Sequence, residues 1–464
     1  MRYSPERHFL RQETEVKKSD FYRKLTHFTL WTCEQLDALR EERFGPDLVE
    51  RTKYVKDFDE EFSQFNRVVL REEFLAKVKD TQLVFGGDIH DLEKATENLI
   101  QVLEYLSPSN LVVGVECIKF DKQKIIDNYL AGKITEKDFL KKSGLLEFIP
   151  QQARNYLKIF QKAKEKKMSV LALDSLSYGG VTSSEERKLE QRDEIAAQII
   201  VQHLEKNPSS RMYVIFGQAH LAENHLPAKV KEKYPQVSSL VFVQNVESLY
   251  NQALEKFGQI PLIVGVAEIE KNKFAILDTS PLEVRYERLR HQFCLQERIN
   301  EAMDSAAKEF FPYLLDFLAH NFNLELKRLC FQWQGKKCEI NFQKLLANID
   351  IGYNDKELES LLSFEQKEKL KKNKVIGFIQ NDTPILVMEK GARFKELVKG
   401  SMEILLEALE KAHLREKNQE EDEVLIYLGT KIAKPDLRPT TEKEQKGEEW
   451  WQQLIRGEGE LKIV

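Results

Sequence analysis

Leu83-Val84-Phe85-Gly86-Gly87-Asp88-Ile89-His90 and, 130 residues later, Tyr213-Val214-Ile215-Phe216-Gly217-Gln218-Ala219-His220 follow one pattern. Each is a short apolar run, then Gly-x-x-His, then a helix-like stretch. In an open α/β sheet, side chains just past the carboxyl ends of parallel strands line the ligand crevice. Two distant histidines delivered to that edge can meet in one site.

The surrounding sequence supports such a sheet. Strand-like segments at Leu83–Gly87, Leu111–Glu116, Ser169–Asp174, Met212–Gly217, Ser239–Gln244 and Phe274–Asp278 are mostly continuous apolar runs, as expected of strands covered on both faces. Helical patterns of 15 or more residues separate several of them, the signature of βαβ units and a mostly parallel sheet. Residues 1–80 read as a helical N-terminal segment, in which Phe21, Leu25, Phe28 and Leu36 recur at near-helical spacing and Gly45-Pro46 breaks the pattern. This segment carries no evident chemistry. Residues 281–433 read as a mostly helical region of mixed α+β character. It holds an amphipathic stretch from His291 to about Leu329 with a kink at Pro312, a hairpin around Asn381-Asp382-Thr383, and a helix from about Phe394 to Ala412. Residues 434–464 read as a charged tail containing Trp450-Trp451. The fold class is therefore α/β, with an α/β domain over residues 81–280 and flanking helices.

Composition narrows the function classes. The chain has 464 residues, long for a single core. Its charged residues nearly cancel, to a net of −5, so nothing favours nucleic acid as a partner. The five cysteines contain no C-x-x-C pair, which argues against a zinc knuckle or a disulfide framework and suits a reducing compartment. No run approaches the ~18 apolar residues of a membrane span, and no signal-like segment opens the chain. The expectation is a cytoplasmic protein without a membrane span, acting on a small-molecule or peptide substrate.

The strand ends deliver polar groups to one edge: Asp88 and His90, then Glu116, Asp174 and His220, with His225 close behind. A helix over Glu186–Glu205 adds Arg192, which shares the inward stripe of Ile195, Ala196 and Ile199. A buried guanidinium needs an anion, and Glu116, Asp88 or a substrate anion would serve. The alternative is an arginine snorkelling at the rim. His203, near the far end of that stripe, reads as packing. Two imidazoles and a carboxylate (His90, His220 and Glu116) form a plausible ligand set for zinc, manganese or cobalt, whose bound water is a nucleophile at neutral pH. Asp88 is then a further ligand or a base. A metal-free version uses His90 to activate water, with Asp88 orienting it.

These residues resemble the ChaN-like family, grouped with the Tiki, TraB and erythromycin-esterase proteins. Gly87-Asp88-Ile89-His90-Asp91 is similar to the family's opening motif. Glu116 with Gln123, Asp127, Tyr129, Leu130 and Gly132 is similar to its second. Tyr156, Leu157 and Ala163, then Arg192-Asp193, then Gly217-Gln218-Ala219-His220-Leu221 with Leu226-Pro227 continue the order, so the likeness covers about residues 80–245. The resemblance implies a site above the sheet edge and two kinds of activity: hydrolysis of an ester, lactone or peptide-like bond, or haem binding in iron handling. For haem, Tyr129, Tyr156 and Tyr178 are the candidate ligands, while the stretch after His90 lacks the further histidines common in ChaN-like proteins. A catalytically silent interaction protein is the third class.

Overall fold

The computed structural model describes residues 16–296, apart from 48, 151, 176–184 and 258–264. In the C-terminal part it describes 314, 317–318, 350–353, 362–373, 375–380, 383–388, 394–411, 426 and 445. Tyr178, Pro312 and Trp450-Trp451 lie outside the described residues, as does nearly all of the expected amphipathic stretch beyond residue 296 and of the tail. The chain divides into two compact units, one of residues 41–278 and one of residues 1–40 with 279–464.

The 41–278 unit is built on an eight-stranded sheet. Its strands are β1 (Arg67–Leu70), β2 (Leu83–Asp88), β3 (Leu111–Lys119), β4 (Ser169–Asp174), β5 (Arg211–Gly217), β6 (Ser239–Gln244), β7 (Gly265–Glu270) and β8 (Lys273–Ile276), in the order β1-β7-β8-β6-β2-β5-β3-β4. Six neighbours, from β8 to β4, run parallel, and β7 and β1 add an antiparallel margin. The six apolar runs are all strands. Two further strands escape a reading by periodicity. β1 interrupts the stretch expected to be helical, and β7 is a short run, Gly-Val-Ala-Glu-Ile-Glu, with charge inside it. Both are fixed by pairing with their neighbours: β7 lies between β1 and β8 and is buried along most of its length, while β1, at the sheet edge, is largely part-exposed.

β2 and β5 are adjacent and in register, Asp88 beside Gly217. That register brings both Gly-x-x-His motifs to the same end of the sheet. Every residue of β2 is buried. A Cβ added to Gly86 would lie 2.9 Å from each of Leu99, Phe242 and Tyr213, so the centre of the sheet is packed against its covering helices with no room for a methyl. Leu99, Val102 and Leu103 from the helix Glu93–Tyr105 and Tyr156, Ile159 and Phe160 from the helix Ala153–Glu165 supply much of this core. Each such side chain removed from water contributes about 1.5–3 kcal/mol.

The free edge of β4 is closed by a side chain. Gln123 donates to the Val170 carbonyl at 2.8 Å and accepts from the Ala172 amide at 2.8 Å, and Asp127 holds it at 2.9 Å. An edge strand left unpaired is open to intermolecular pairing, and this amide stands in for a further strand.

In the second unit, β10 (Val375–Gln380) and β11 (Thr383–Met388) pair antiparallel as the expected hairpin, and β9 (Asp350–Tyr353) joins β11 in parallel. Helices Phe364–Asn373 and Phe394–Lys411 pack on this sheet. Among the described residues, no helix is long and apolar enough to cross a membrane.

Candidate functional site

Six of the residues singled out from sequence, Asp88, His90, Glu116, Asp174, Arg192 and His220, come together at the carboxyl ends of β2, β3, β4 and β5. Glu116, buried on β3, is the hub. Its Oε1 accepts from the Arg192 guanidinium and its Oε2 from the Gly217 amide. Arg192, on the helix Glu185–Lys206, also donates from Nε to Asp174 Oδ1 at 2.9 Å, so the guanidinium is buried between two carboxylates rather than snorkelling.

Two imidazoles face this hub. His90 Nε2 lies 3.8 Å from Glu116 Oε2, and His220 Nε2 lies 3.9 Å from Glu116 Oε1. Each imidazole is held from behind by an aspartate at Nδ1: His90 by Asp88 at 2.8 Å, His220 by Asp193 at 2.6 Å. They differ in exposure. His90 is 32% exposed, and the edge of its ring meets Phe148. His220 is 5% exposed, between Phe216 and Tyr54. A Cβ placed on Gly217 would lie 3.4 Å from His90 Nε2 and 3.5 Å from His220 Cδ2, so those two atoms are no farther apart than these distances together. The same Cβ would sit 3.1 Å from Glu116 Oε2. The glycine leaves open the small space where the three groups converge.

The electrostatics follow from this arrangement. Burial opposes ionisation of Glu116, but Arg192, the two imidazoles and the Gly217 amide outweigh it and lower its pKa to about 2. Burial also opposes a charge on His90, but the Asp88 and Glu116 carboxylates outweigh that and raise its pKa to about 9. Asp88 is itself clasped by the Tyr156 hydroxyl at Oδ2, while its Oδ1 is buried with no hydrogen-bond partner.

The fit to metal and to haem can be read from the donor atoms. Glu116 Oε1 accepts from Arg192 and Oε2 from the Gly217 amide, and each oxygen keeps a second lone pair, so a metal held by His90, Glu116 and His220 would not have to displace either donor. Among the described residues, the group that brings three ligand atoms within 4.8 Å of one another is instead Glu61, Glu223 and Glu270. That trio already has its cation: Lys273 Nζ lies 2.8 Å from Glu61 and 2.7 Å from Glu223, and it also pairs with Glu270. For haem, Tyr129 is buried with its hydroxyl on Glu136, and Tyr156 is buried on Asp88, so neither presents a free phenolate. Of the two imidazoles that face Glu116, His90 is the more exposed.

Sequence reasoning gave no role to two members. Asp193 was named only within the Arg192-Asp193 pair of the resemblance, and its neighbour's role as an ion-pair partner hid its own. Tyr54 donates to Asp193 Oδ2 at 2.8 Å from 139 residues away, a contact for which the sequence holds no local signal.

Residues 74–177 match the model of the family described as haem-binding uptake, Tiki superfamily, ChaN. The resemblance read from the motifs therefore holds over the segment that carries Asp88, His90, Glu116 and Asp174. Among solved structures, the chain is similar to ChaN of Campylobacter jejuni, described with cofacial haem binding. The identity is 13%, over 38% of this chain and 86% of that one, with a TM-score of 0.30. It is also similar to RRSP, a MARTX toxin effector domain from Vibrio vulnificus CMCP6, at 23% identity over 40% of this chain and 36% of that one, TM-score 0.25. A structure described as bacterial protein toxins gives 18% identity over 44% of this chain and 41% of that one, TM-score 0.27. No curated protein matches the chain.

Proposed function

We propose that this chain is a hydrolase of an ester, lactone or peptide-like bond, using the two imidazoles of His90 and His220 around Glu116. The observation that carries this reading is the matched geometry: both Nε2 atoms face one carboxylate, at 3.8 and 3.9 Å, while each Nδ1 is fixed by its own aspartate. Asp193 accepts from Nδ1 of His220, which leaves Nε2 with its lone pair in the neutral ring. His220 is thus the base that takes a proton from water. His90 keeps its proton to about pH 9 and is the accessible ring, so it donates to the carbonyl oxygen or the leaving group. Glu116, ionised and pinned, steadies the positive charge as it passes between the rings. Arg192 and Asp174 hold Glu116 in place. Asp88 and Tyr156 set the orientation of His90. Were a divalent metal held by His90, Glu116 and His220, it would supply a bound water of lowered pKa at the same place. The sparse cysteines, with no C-x-x-C pair, favour a reducing compartment, and the cytoplasm is the proposed location.

The test is a panel of chromogenic esters, lactones and peptides with wild type, H90N and H220N, accompanied by elemental analysis. Wild type should hydrolyse at least one class, and both variants should lose most of that activity. A panel on which wild type does no better than buffer, or on which H90N matches wild type, overturns the proposal.

A second reading is favoured by the family match at residues 74–177: haem binding with His90 as the ligand. A saturable Soret shift on haem titration, lost in H90A, would support it. A titration without saturation would remove it.

A further inference from the structure

We infer that Tyr54, on a helix outside the family-matched segment, is a positioning residue: its hydroxyl pins Asp193 and thereby holds His220 in the tautomer whose Nε2 lone pair faces Glu116. This rests on the reading of His220 as the base. The helix Lys53–Glu61 places one face against the stretch that carries His220. Tyr54, Asp57, Phe58 and Glu61 recur at the spacing of a single helical stripe. Asp57 accepts from Asn224 at 2.8 Å and lies 3.1 Å from His225, and Glu61 accepts from the Glu223 amide at 2.6 Å. Phe58 is buried beside them. The helix is thus fastened at three points to residues 223–225, immediately after His220.

Tyr54 is the functional end of that face. It is 1% exposed and stacks on His225, centroids 3.7 Å apart and planes within 12°. Its ring meets His220 edge-on at 5.3 Å. Its hydroxyl donates to Asp193 Oδ2 while His220 Nδ1 takes Oδ1. A carboxylate held at one oxygen can turn about its last torsion, which is broad. A carboxylate held at both cannot, so the imidazole it faces keeps one orientation and one tautomer. Burial and the neighbouring Asp193 hold the phenol well above its ordinary pKa, so it remains a donor across the working range.

The experiment compares wild type and Y54F in the full chain labelled with nitrogen-15 histidine, assigning His220 by its loss in H220N. Wild type should show His220 as a single Nδ1–H tautomer. Y54F keeps both ring contacts and removes one hydroxyl, so it should melt close to wild type yet show a second, Nε2–H population. On the substrate that wild type cleaves, kcat should fall about tenfold with KM within twofold. A folded Y54F with one unchanged tautomer overturns the inference. Should Y54F fail to fold, H225A decides in the same way, because it withdraws the stacking ring: a mixed tautomer supports the inference and a single one overturns it. The nitrogen spectrum needs no turnover. Failure of the hydrolase reading therefore shows as a silent substrate panel, and failure of the Tyr54 role as an unchanged spectrum.

Discussion

Arg192 is the residue on which most of the site's charge depends. It is buried with Glu116 and Asp174 as its partners, and removing it strands two carboxylates in a dry interior. R192A is therefore expected to destabilise the protein by about 3–5 kcal/mol, read from urea unfolding. R192K should recover little of that, because an ammonium cannot bridge two carboxylates as a guanidinium does. A variant that unfolds like wild type would place Arg192 in solvent. Gly217 presents the opposite case. Its φ of −52° suits any residue, so G217A is not strained in its backbone. The added methyl would press on Glu116 and His90, and G217A should keep its melting temperature within a few degrees while losing at least tenfold in turnover. Proton linkage gives two further expectations. Glu116 falls from an ordinary value of 4.5 to about 2 in the fold. Its contribution to stability is complete above 4.5 and lost as pH drops through about 2, and E116Q should flatten acid unfolding in that window. His90 rises from 6.5 to about 9, so its contribution is complete below 6.5 and lost as pH climbs through about 9. As the acid, it should give kcat/KM a falling limb near pH 9 that vanishes in H90N. A rising limb there would make His90 the base.

At the scale of elements, the matched motifs divide into those that do chemistry and those that build edges. Gln123 and Asp127 belong to the second of the resemblance motifs, yet Gln123 binds the backbone at the free edge of β4 and Asp127 accepts from Gln123. Q123A leaves the Val170 carbonyl and the Ala172 amide without partners in a part-buried setting. A loss of about 1–3 kcal/mol is expected by urea unfolding, without any change in His220 tautomer. Pro227, near the start of the helix Leu226–Lys233, and the Lys53–Glu61 helix play a comparable part around His220, fixing where its stretch of chain turns back toward β6.

For the whole molecule, the division at residues 41–278 encloses the entire candidate site, including Tyr54. That range is longer at its N-terminal end than the expected 81–280 domain. A chain of residues 41–278 should fold with one cooperative transition and keep the single His220 tautomer, whereas a chain starting at residue 81 should lose β1, Tyr54 and that signature. Circular dichroism melting and the nitrogen spectrum together check this.

The sheet and the residues at its edge were legible in the order of amino acids alone. Continuous apolar runs at βαβ spacing can be little other than covered parallel strands, and strand ends by their position deliver Asp88, His90, Glu116, Asp174 and His220 to the same side. Arg192 was legible because a charge on an apolar stripe demands a partner. Glu116 was among the partners expected for it, but Asp174 was not, since that depends on how β3, β4 and one helix lie in space. β1 and β7 were hidden because marginal strands are specified by their neighbours rather than by their own pattern. Tyr54 was hidden for the same reason on a longer scale. A tyrosine on an amphipathic helix looks like any buried aromatic, and only the folded chain shows that its hydroxyl ends on the aspartate behind a histidine.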